Sequence, residues 1–434
     1  MRDVVSSAFA HAGQKCSAAS LLILVGSAGR SARIARQLVD ATSSLRVRLP
    51  EHLDSQVGPV VVPDDAKALR GLTTLGAGEH WVLEPQDLGG GLWRPGIRMG
   101  VEPGSEFHLT EYFAPVLGVM RVDTLQEAID AVNAVDYGLT SGLQTLDSAE
   151  LGQWLEAVEA GNLYVNRGIT GAIVRRQPFG GWKRSAIGST TKAGGPSYLL
   201  GLGEVVPGDG GEHHDAVERG HQTLDSTLDP RVAAVYDAVR TDLDHQEVAA
   251  LRRALVADAQ AWERVYGQNQ DVTALACERN ILRYRPTTVV VRAQAGTHQS
   301  DLARVMAAGI RVGGLVSLSV AEPLPQALRA ALLGAGVEVA VERGAVWEAR
   351  LSDMASSGAL GVRVRIVGDR RVPSEELWQQ ASALTGGSPD VALYTGPVTT
   401  CPHTELLTFL REQAVAITSH RFGTPLDLAK GLLH

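Results

Sequence analysis

Gly13-Gln14-Lys15-Cys16-Ser17-Ala18-Ala19-Ser20-Leu21-Leu22-Ile23-Leu24-Val25-Gly26 sets a short polar loop directly against a run of five branched aliphatic residues. Such a run, closed by glycine and too short for a buried helix, reads as a buried strand with the cysteine just before it. Upstream, Val4 to Cys16 reads as a small, polar lead-in. Downstream, Ile34, Ala35, Leu38 and Val39 recur at helical spacing, so Ser31 to Leu45 reads as a helix and Gln56 to Val61 as a turn into a strand. A Gly and Pro cluster (Gly89 to Gly91, Pro95, Pro103) leads to the segment Glu111 to Val122. A helix from Thr124 to Val135, a strand around Leu143, a helix from Ser148 to Ala160 and a strand from Asn162 to Asn166 follow. This alternation predicts an α/β layer fold.

Between Pro207 and Asp229 the aperiodic Gly208-Asp209-Gly210-Gly211-Glu212-His213-His214 reads as a linker. Beyond it Val248, Leu251, Leu255, Ala259, Trp262 and Tyr266 share one helical face. From Pro286 short apolar strands (Thr288 to Val291, Leu315 to Val320, Val337 to Val341, Val362 to Val367) alternate with helices (Asp301 to Ala308, Pro325 to Leu333 and one more), which predicts a doubly wound parallel sheet. No G-x-G-x-x-G follows its first strand, and Gly309, Gly313 and Gly314 fall at the far end of the helix. A nucleotide fold without a bound nucleotide is the expectation.

Composition narrows the function. The chain has 434 residues, 44% hydrophobic and 20% charged, and no apolar run approaches the roughly 18 residues of a membrane span. A net charge of −8, from 40 Lys and Arg against 48 Asp and Glu, disfavours nucleic acid or anionic lipid as partner. Three scattered cysteines (Cys16, Cys277, Cys401) contain no C-x-x-C pair, so neither disulfides nor a cysteine zinc site is expected. Met1 to Ser7 lacks a secretory layout, which makes the cytoplasm the default location. Glu212-His213-His214-Asp215 has metal-ligand residue types, but sequential neighbours cannot all face one ion, and no metal site is expected there. Cys277 and Cys401 read as packing residues. Cys16 differs, because it sits on a loop beside Lys15, a cation that favours the attacking thiolate.

Gly13 to Ala18, with Glu111-Tyr112-Phe113-Ala114-Pro115-Val116 and Gln177-Pro178-Phe179-Gly180-Gly181-Trp182-Lys183, resembles the catalytic half of the aldehyde dehydrogenase family. Asn166 to Ala172, Lys192 to Leu199, Glu278 to Pro286 and the ending Leu407 to Gly423 are similar to the glutamate-semialdehyde dehydrogenase module of the proline utilization A family, so the resemblance covers essentially the whole chain. It implies an aldehyde dehydrogenase catalytic domain over 1–206, a linker over 207–229, a Rossmann-like C-terminal domain over 230–406 and a tail over 407–434 that covers the active site or a partner subunit.

The resemblance also implies chemistry. Cys16 attacks the aldehyde, a hydride leaves to NAD, and the thioester is hydrolysed to a carboxylate, glutamate in that family. Glu111 matches the residue that hydrogen-bonds the nicotinamide ribose and Phe113 the aromatic beside it, while Ala114 stands where the family has glycine. Gly171 and Ala172 match the loop that anchors the substrate carboxylate, Ser17 the serine that reaches it, and Phe179 lines the pocket. Of only five lysines in the chain, Lys15, Lys183 and Lys192 fall inside the matched motifs.

In the family the water-activating carboxylate, the oxyanion-hole asparagine and the cofactor domain precede the cysteine. Here fifteen residues precede Cys16, with Asp3 the sole acid. The expectation is a C-terminal portion, inactive alone, that needs an upstream companion domain or chain and forms a homo-oligomer when complete, through a β-flap to which Tyr198 to Val206 belongs. A non-catalytic remnant serving as an assembly or lid module is the alternative.

Overall fold

The computed structural model describes residues 1–188, 191–203, 205, 228–271, 273–419 and 428–433. The chain divides into two compact units that are discontinuous in sequence, Met1–Gln177 with Val272–Asn280 and Ala414–Leu433, and Pro178–Asp271 with Ile281–Gln413 and His434. The linker expected over 207–229 and the acidic and histidine run at 212–215 lie almost wholly outside the described residues.

In the first unit the run Leu21–Val25 is a strand, as its composition predicts. It pairs in parallel with Val116–Val122, which pairs in parallel with Gly96–Val101, and His80–Leu83 closes the edge antiparallel. Helix Ala32–Ser43 starts where Ser31 accepts the Ile34 N–H, and Leu125–Asn133 starts with a capping box between Thr124 and Glu127. A second, parallel set joins Thr140–Leu143, the fully buried Asn162–Val165, and Ala414–Ile417 from the last strand, Leu410–Thr418. The tail from 407 thus supplies sheet here, because its apolar positions are buried; residues 420–427 lie outside the described part.

Two local expectations are corrected. The lead-in from Val4 is helix Arg2–Phe9, whose Val5, Ala8 and Phe9 are buried at helical spacing. Gln56 to Val61 forms no strand beyond an isolated Val47 to Val57 bridge. Pro59 has no N–H for a ladder, and Val60 and Val61 donate instead to Gly91 O and to Gln14 Oε1.

The first unit also buries an ion pair. Arg98 donates to Glu79 at 2.8 Å, both side chains 2% exposed, and its guanidinium lies 4.1 Å from the Phe107 ring centre and 4.7 Å from that of Trp81.

The second unit holds five parallel strands in the order Glu338–Val341, Val316–Val320, Val289–Ala293, Val362–Val367, Val391–Tyr394, the doubly wound arrangement. Helix Gln299–Arg311 is buried over nearly its whole length. A Cβ on Gly309 would stand 2.8 Å from Phe409 and from Val316, so this glycine serves close packing rather than phosphate binding. The amphipathic pattern from Val248 is helix His245–Ala261, ending in a π turn over Trp262–Tyr266. Tyr198–Leu202, expected as flap strand, is a single 3-10 turn with Leu199 and Leu202 exposed. Among the described residues no helix is long and apolar enough to cross a membrane.

Removing one partner of a buried ion pair leaves the other charge uncompensated. Glu79→Ala is therefore expected to destabilise the protein by about 3–5 kcal/mol, and Arg98→Met by less, since its aliphatic replacement retains contact with Trp81 and Phe107; urea unfolding of both variants checks this order.

Candidate active site

After helix Arg2–Phe9 the chain takes three consecutive left-handed residues, His11 (φ 57°), Ala12 (φ 56°) and Gly13 (φ 69°). This is costly for the two that are not glycine. Their necessity shows at Gly13, where a Cβ would lie 2.4 Å from Ala114 O and 3.0 Å from Ala8 O. The cysteine loop and the Glu111–Ala114 segment thus touch backbone to backbone. Gln14 fastens the contact, its Nε2 donating to Phe113 O at 3.0 Å while its Oε1 accepts the Val61 N–H at 2.8 Å.

Lys15 to Ala18 forms a turn closed by Ala18 N to Lys15 O at 2.9 Å, which leaves Cys16 exposed and Ser17 buried. Cys16 is not a core thiol. The Tyr164 hydroxyl is buried without a hydrogen-bond partner, and burial chiefly pushes its pKa up to about 12, with Arg167 opposing and the Cys16 charge adding to the rise.

On the facing segment the residues alternate. Tyr112 is buried, stacked on Phe107 at 5.1 Å and donating to Glu106 at 3.1 Å, so it anchors the segment. Glu111 and Phe113 on either side point outward, and Phe113 holds a φ of 55°. An exposed aromatic in a left-handed conformation is a strained placement of the kind found at binding sites. Ala114 has no positive φ, so alanine meets no backbone obstacle where the family has glycine. Between the two segments lies a cavity of about 40 Å³ bordered by Gly13, Lys15, Glu111 and Phe113, little more than one water's share of liquid volume, about 30 Å³. A carboxylate and an aromatic face beside the cysteine turn suit the ribose and ring of a nicotinamide.

The loop after strand Asn162–Val165 turns at Asn166 (φ 56°), whose side chain bonds Thr145 through both its atoms at 3.0 and 2.8 Å. Its middle is tethered by Ile169 N to Ser7 Oγ at 3.0 Å and its end by Ile173 N to Gln177 Oε1 at 2.8 Å. Gln177 in turn donates to Asn280, which donates to Glu278, and Glu278 pairs with Arg167 at 3.0 Å. The matched Glu278 to Asn280 motif is thus a clasp for this loop. Gly171 at its tip has a φ of 81°, and among the described residues the N–H groups of Gly171 and Ala172 meet no acceptor. Main-chain donors at such a turn are available to an acceptor.

Phe179 belongs to the second unit, where it exchanges both main-chain bonds with Ala193 at 3.0 and 2.9 Å. The neighbouring Lys192 is wholly buried, its Nζ donating to Gly180 O and its N–H to Glu412 Oε2 at 2.8 Å, while Trp182 donates to Glu412 O at 2.8 Å. Burial pushes the Lys192 ammonium pKa down to about 7, against the favourable charge of Glu412, and burial raises that of Glu412.

The loop after the first strand of the doubly wound sheet is bonded within itself and to its neighbours. A Cβ on Gly296 would stand 2.9 Å from the Asp369 carboxylate, Thr297 Oγ1 bonds Val367 O, and Arg370 is held by Asp301 at 2.7 Å. A larger cavity of about 510 Å³, bordered by Arg365, Ser374, Trp378, Tyr394, Glu405 and Glu412, has no cysteine among its lining residues. Among the described residues no three potential ligands gather for a metal. Cys277 is exposed rather than packed, its carbonyl accepting the Ser419 N–H, and Cys401 is half-buried before helix Pro402–Thr408.

Of the residues named from sequence, the structure sets Glu111 and Phe113 beside the cysteine turn and carries Gly171 on a separate loop. Sequence reasoning did not single out Ser7, Gln14, Gln177 and Glu278 as supports, though all except Ser7 lie inside matched motifs.

Residues 1–201 match the aldehyde dehydrogenase family, and this part of the chain is an aldehyde dehydrogenase family domain. Among solved structures the chain is similar to Proline Utilization A (PutA) from Corynebacterium freiburgense, with 38% identity and a TM-score of 0.73 over 97% of this chain and 37% of that one. Among curated proteins it is 34% identical over 202 residues to a 1-pyrroline-5-carboxylate dehydrogenase of Geobacillus sp. strain WCH70, covering 46% of this chain and 38% of that protein. It is 31% identical over 343 residues to the bifunctional protein PutA of Rhizobium meliloti, covering 75% of this chain and 25% of that protein. The chain therefore spans well under half the length of these relatives.

Lys192 gives the second unit a pH signature. The unfolded chain keeps this ammonium up to its ordinary 10.5, whereas the folded one loses it above about 7. Between those values the unfolded state binds more protons, so this contribution makes stability rise with pH. The urea midpoint of the wild type, taken relative to Lys192→Met, should climb from about pH 7 toward pH 10.5, and a difference flat over that window would show the ammonium is not desolvated.

Proposed function

We propose that this chain forms the nucleophile-bearing part of an NAD-dependent dehydrogenase that oxidises L-glutamate γ-semialdehyde, the open form of 1-pyrroline-5-carboxylate, to L-glutamate in proline catabolism. The observation that carries the reading is the backbone contact of Gly13 with Ala114, which sets an exposed Cys16 turn beside the outward Glu111 and Phe113. The names of the relatives support the substrate.

Cys16 Sγ bonds to the aldehyde carbon as a thiolate, giving a thiohemiacetal. NAD, when bound, accepts the hydride leaving that carbon. The resulting thioester takes up water, its C–S bond breaks, and carboxylate and thiol are released. Glu111 and Phe113 orient the nicotinamide end. The N–H groups of Gly171 and Ala172, with Ser17, hold the carboxylate at the substrate's other end. The base that activates the water and the main cofactor cradle are assigned to residues outside this chain, in keeping with the 38% share of the Geobacillus relative that it covers.

Two assays test this. The 434-residue chain alone should give no NADH with glutamate semialdehyde, whereas supplying an aldehyde dehydrogenase cofactor half should restore it. In the restored system Cys16→Ser should lower kcat at least about a thousandfold, as nucleophile removal does elsewhere. Retention of activity by Cys16→Ser would remove the assignment.

A further inference from the structure

We infer that Ser7 is a positioning residue that fixes the spacing between the cysteine turn and the Gly171–Ala172 donors, and with it the length of carboxylate-bearing aldehyde accepted. The inference rests on the function proposed above for those two segments. Ser7 lies in the last turn of helix Arg2–Phe9, where main-chain carbonyls lack intrahelical partners. Its carbonyl takes the Ala19 N–H at 3.0 Å, three residues beyond Cys16. Its hydroxyl takes the Ile169 N–H at 3.0 Å, two residues before Gly171. One residue, 3% exposed, thus holds the nucleophile loop by its main chain and the Gly171–Ala172 loop by its side chain.

The fit around the hydroxyl is close. A Cβ on Gly168 would stand 3.3 Å from Ser7 Oγ, and Ile169 packs its Cγ2 where a Cβ on Gly142 would come within 2.5 Å. Glycines at both places let the 166–172 loop settle onto the helix. Because the two bonds leave the same residue, the distance between the loops varies only as far as Ser7 itself deforms. A substrate held at one end by a thiol and at the other by two N–H donors is measured against that distance.

Ser7→Ala separates the two bonds, since it deletes the hydroxyl and keeps the carbonyl. Amide hydrogen exchange on the 434-residue chain should quicken at 167–172 by about tenfold or more, with exchange at 17–20 and the rate of Cys16 alkylation unchanged within about twofold. In the restored enzyme KM for glutamate semialdehyde should rise about tenfold or more with kcat little changed, whereas kcat/KM for propanal, which has no carboxylate, should stay within about twofold. Unchanged exchange at 167–172, or equal loosening of both loops, would overturn the tether. Quickened exchange with an unchanged KM would overturn the measuring role and leave the function standing, while activity surviving Cys16→Ser would strike the function and leave the tether intact.

Discussion

No side chain fits between residue 13 and the carbonyl of Ala114. The close approach measured at Gly13, 2.4 Å from a notional Cβ to that oxygen, admits glycine alone and requires the left-handed backbone found there. Much of the candidate site follows from it. The left-handed run reverses the chain out of its first helix, Gln14 then reaches across to Phe113 and Val61, and the turn at Cys16 is left facing solvent. Cys16 is presented by a main-chain contact of its loop.

The strands were legible because their apolar runs are short and bounded, as in Leu21–Val25 and Val289–Ala293. The helices showed through spacing and caps, as at Ser31 and Thr124. Helix Arg2–Phe9 hid because it is short and Ser6 and Ser7 interrupt its buried apolar residues Val5, Ala8 and Phe9. The segment at Gln56 looked extended because valines favour strands, yet its proline and glycine leave no ladder to join. At the site, the loop setting and the neighbouring Lys15 singled out Cys16, whereas Glu111 and Gly171 came only from the resemblance. The supports were illegible for a different reason, since Ser7 to Ile169 and Gln177 to Asn280 join residues more than a hundred positions apart, and such pairing leaves no local pattern.

The second unit shows the limit of arguing from fold. Its strand order is that of a dinucleotide-binding half, but the loop after its first strand has been closed from within by Thr297, Asp369 and the Arg370 to Asp301 pair. The helix itself is buried for packing, with Gly309 taken up by Phe409 and Val316. The strand order alone therefore does not assign a nucleotide to this unit.

Within that unit the rarity of lysine finds a physical explanation. A chain that uses arginine as its ordinary cation keeps five lysines, and Lys192 is wholly buried with its Nζ on Gly180 O. A guanidinium would bring five donors in a rigid fork into a space where one acceptor is met, whereas a slim ammonium satisfies that acceptor and relinquishes its charge when desolvated. The residue is held from both ends, its main chain by Glu412 and its side chain by the loop that follows Phe179. The Leu410–Thr418 strand therefore acts on the Phe179 loop through one lysine, and matched motifs separated by more than two hundred residues are joined by hydrogen bonds rather than by sequence. Glu412 takes the main-chain N–H of residue 192, a donor any residue but proline would supply, so what the joint asks of lysine in particular is the Nζ bond to Gly180 O.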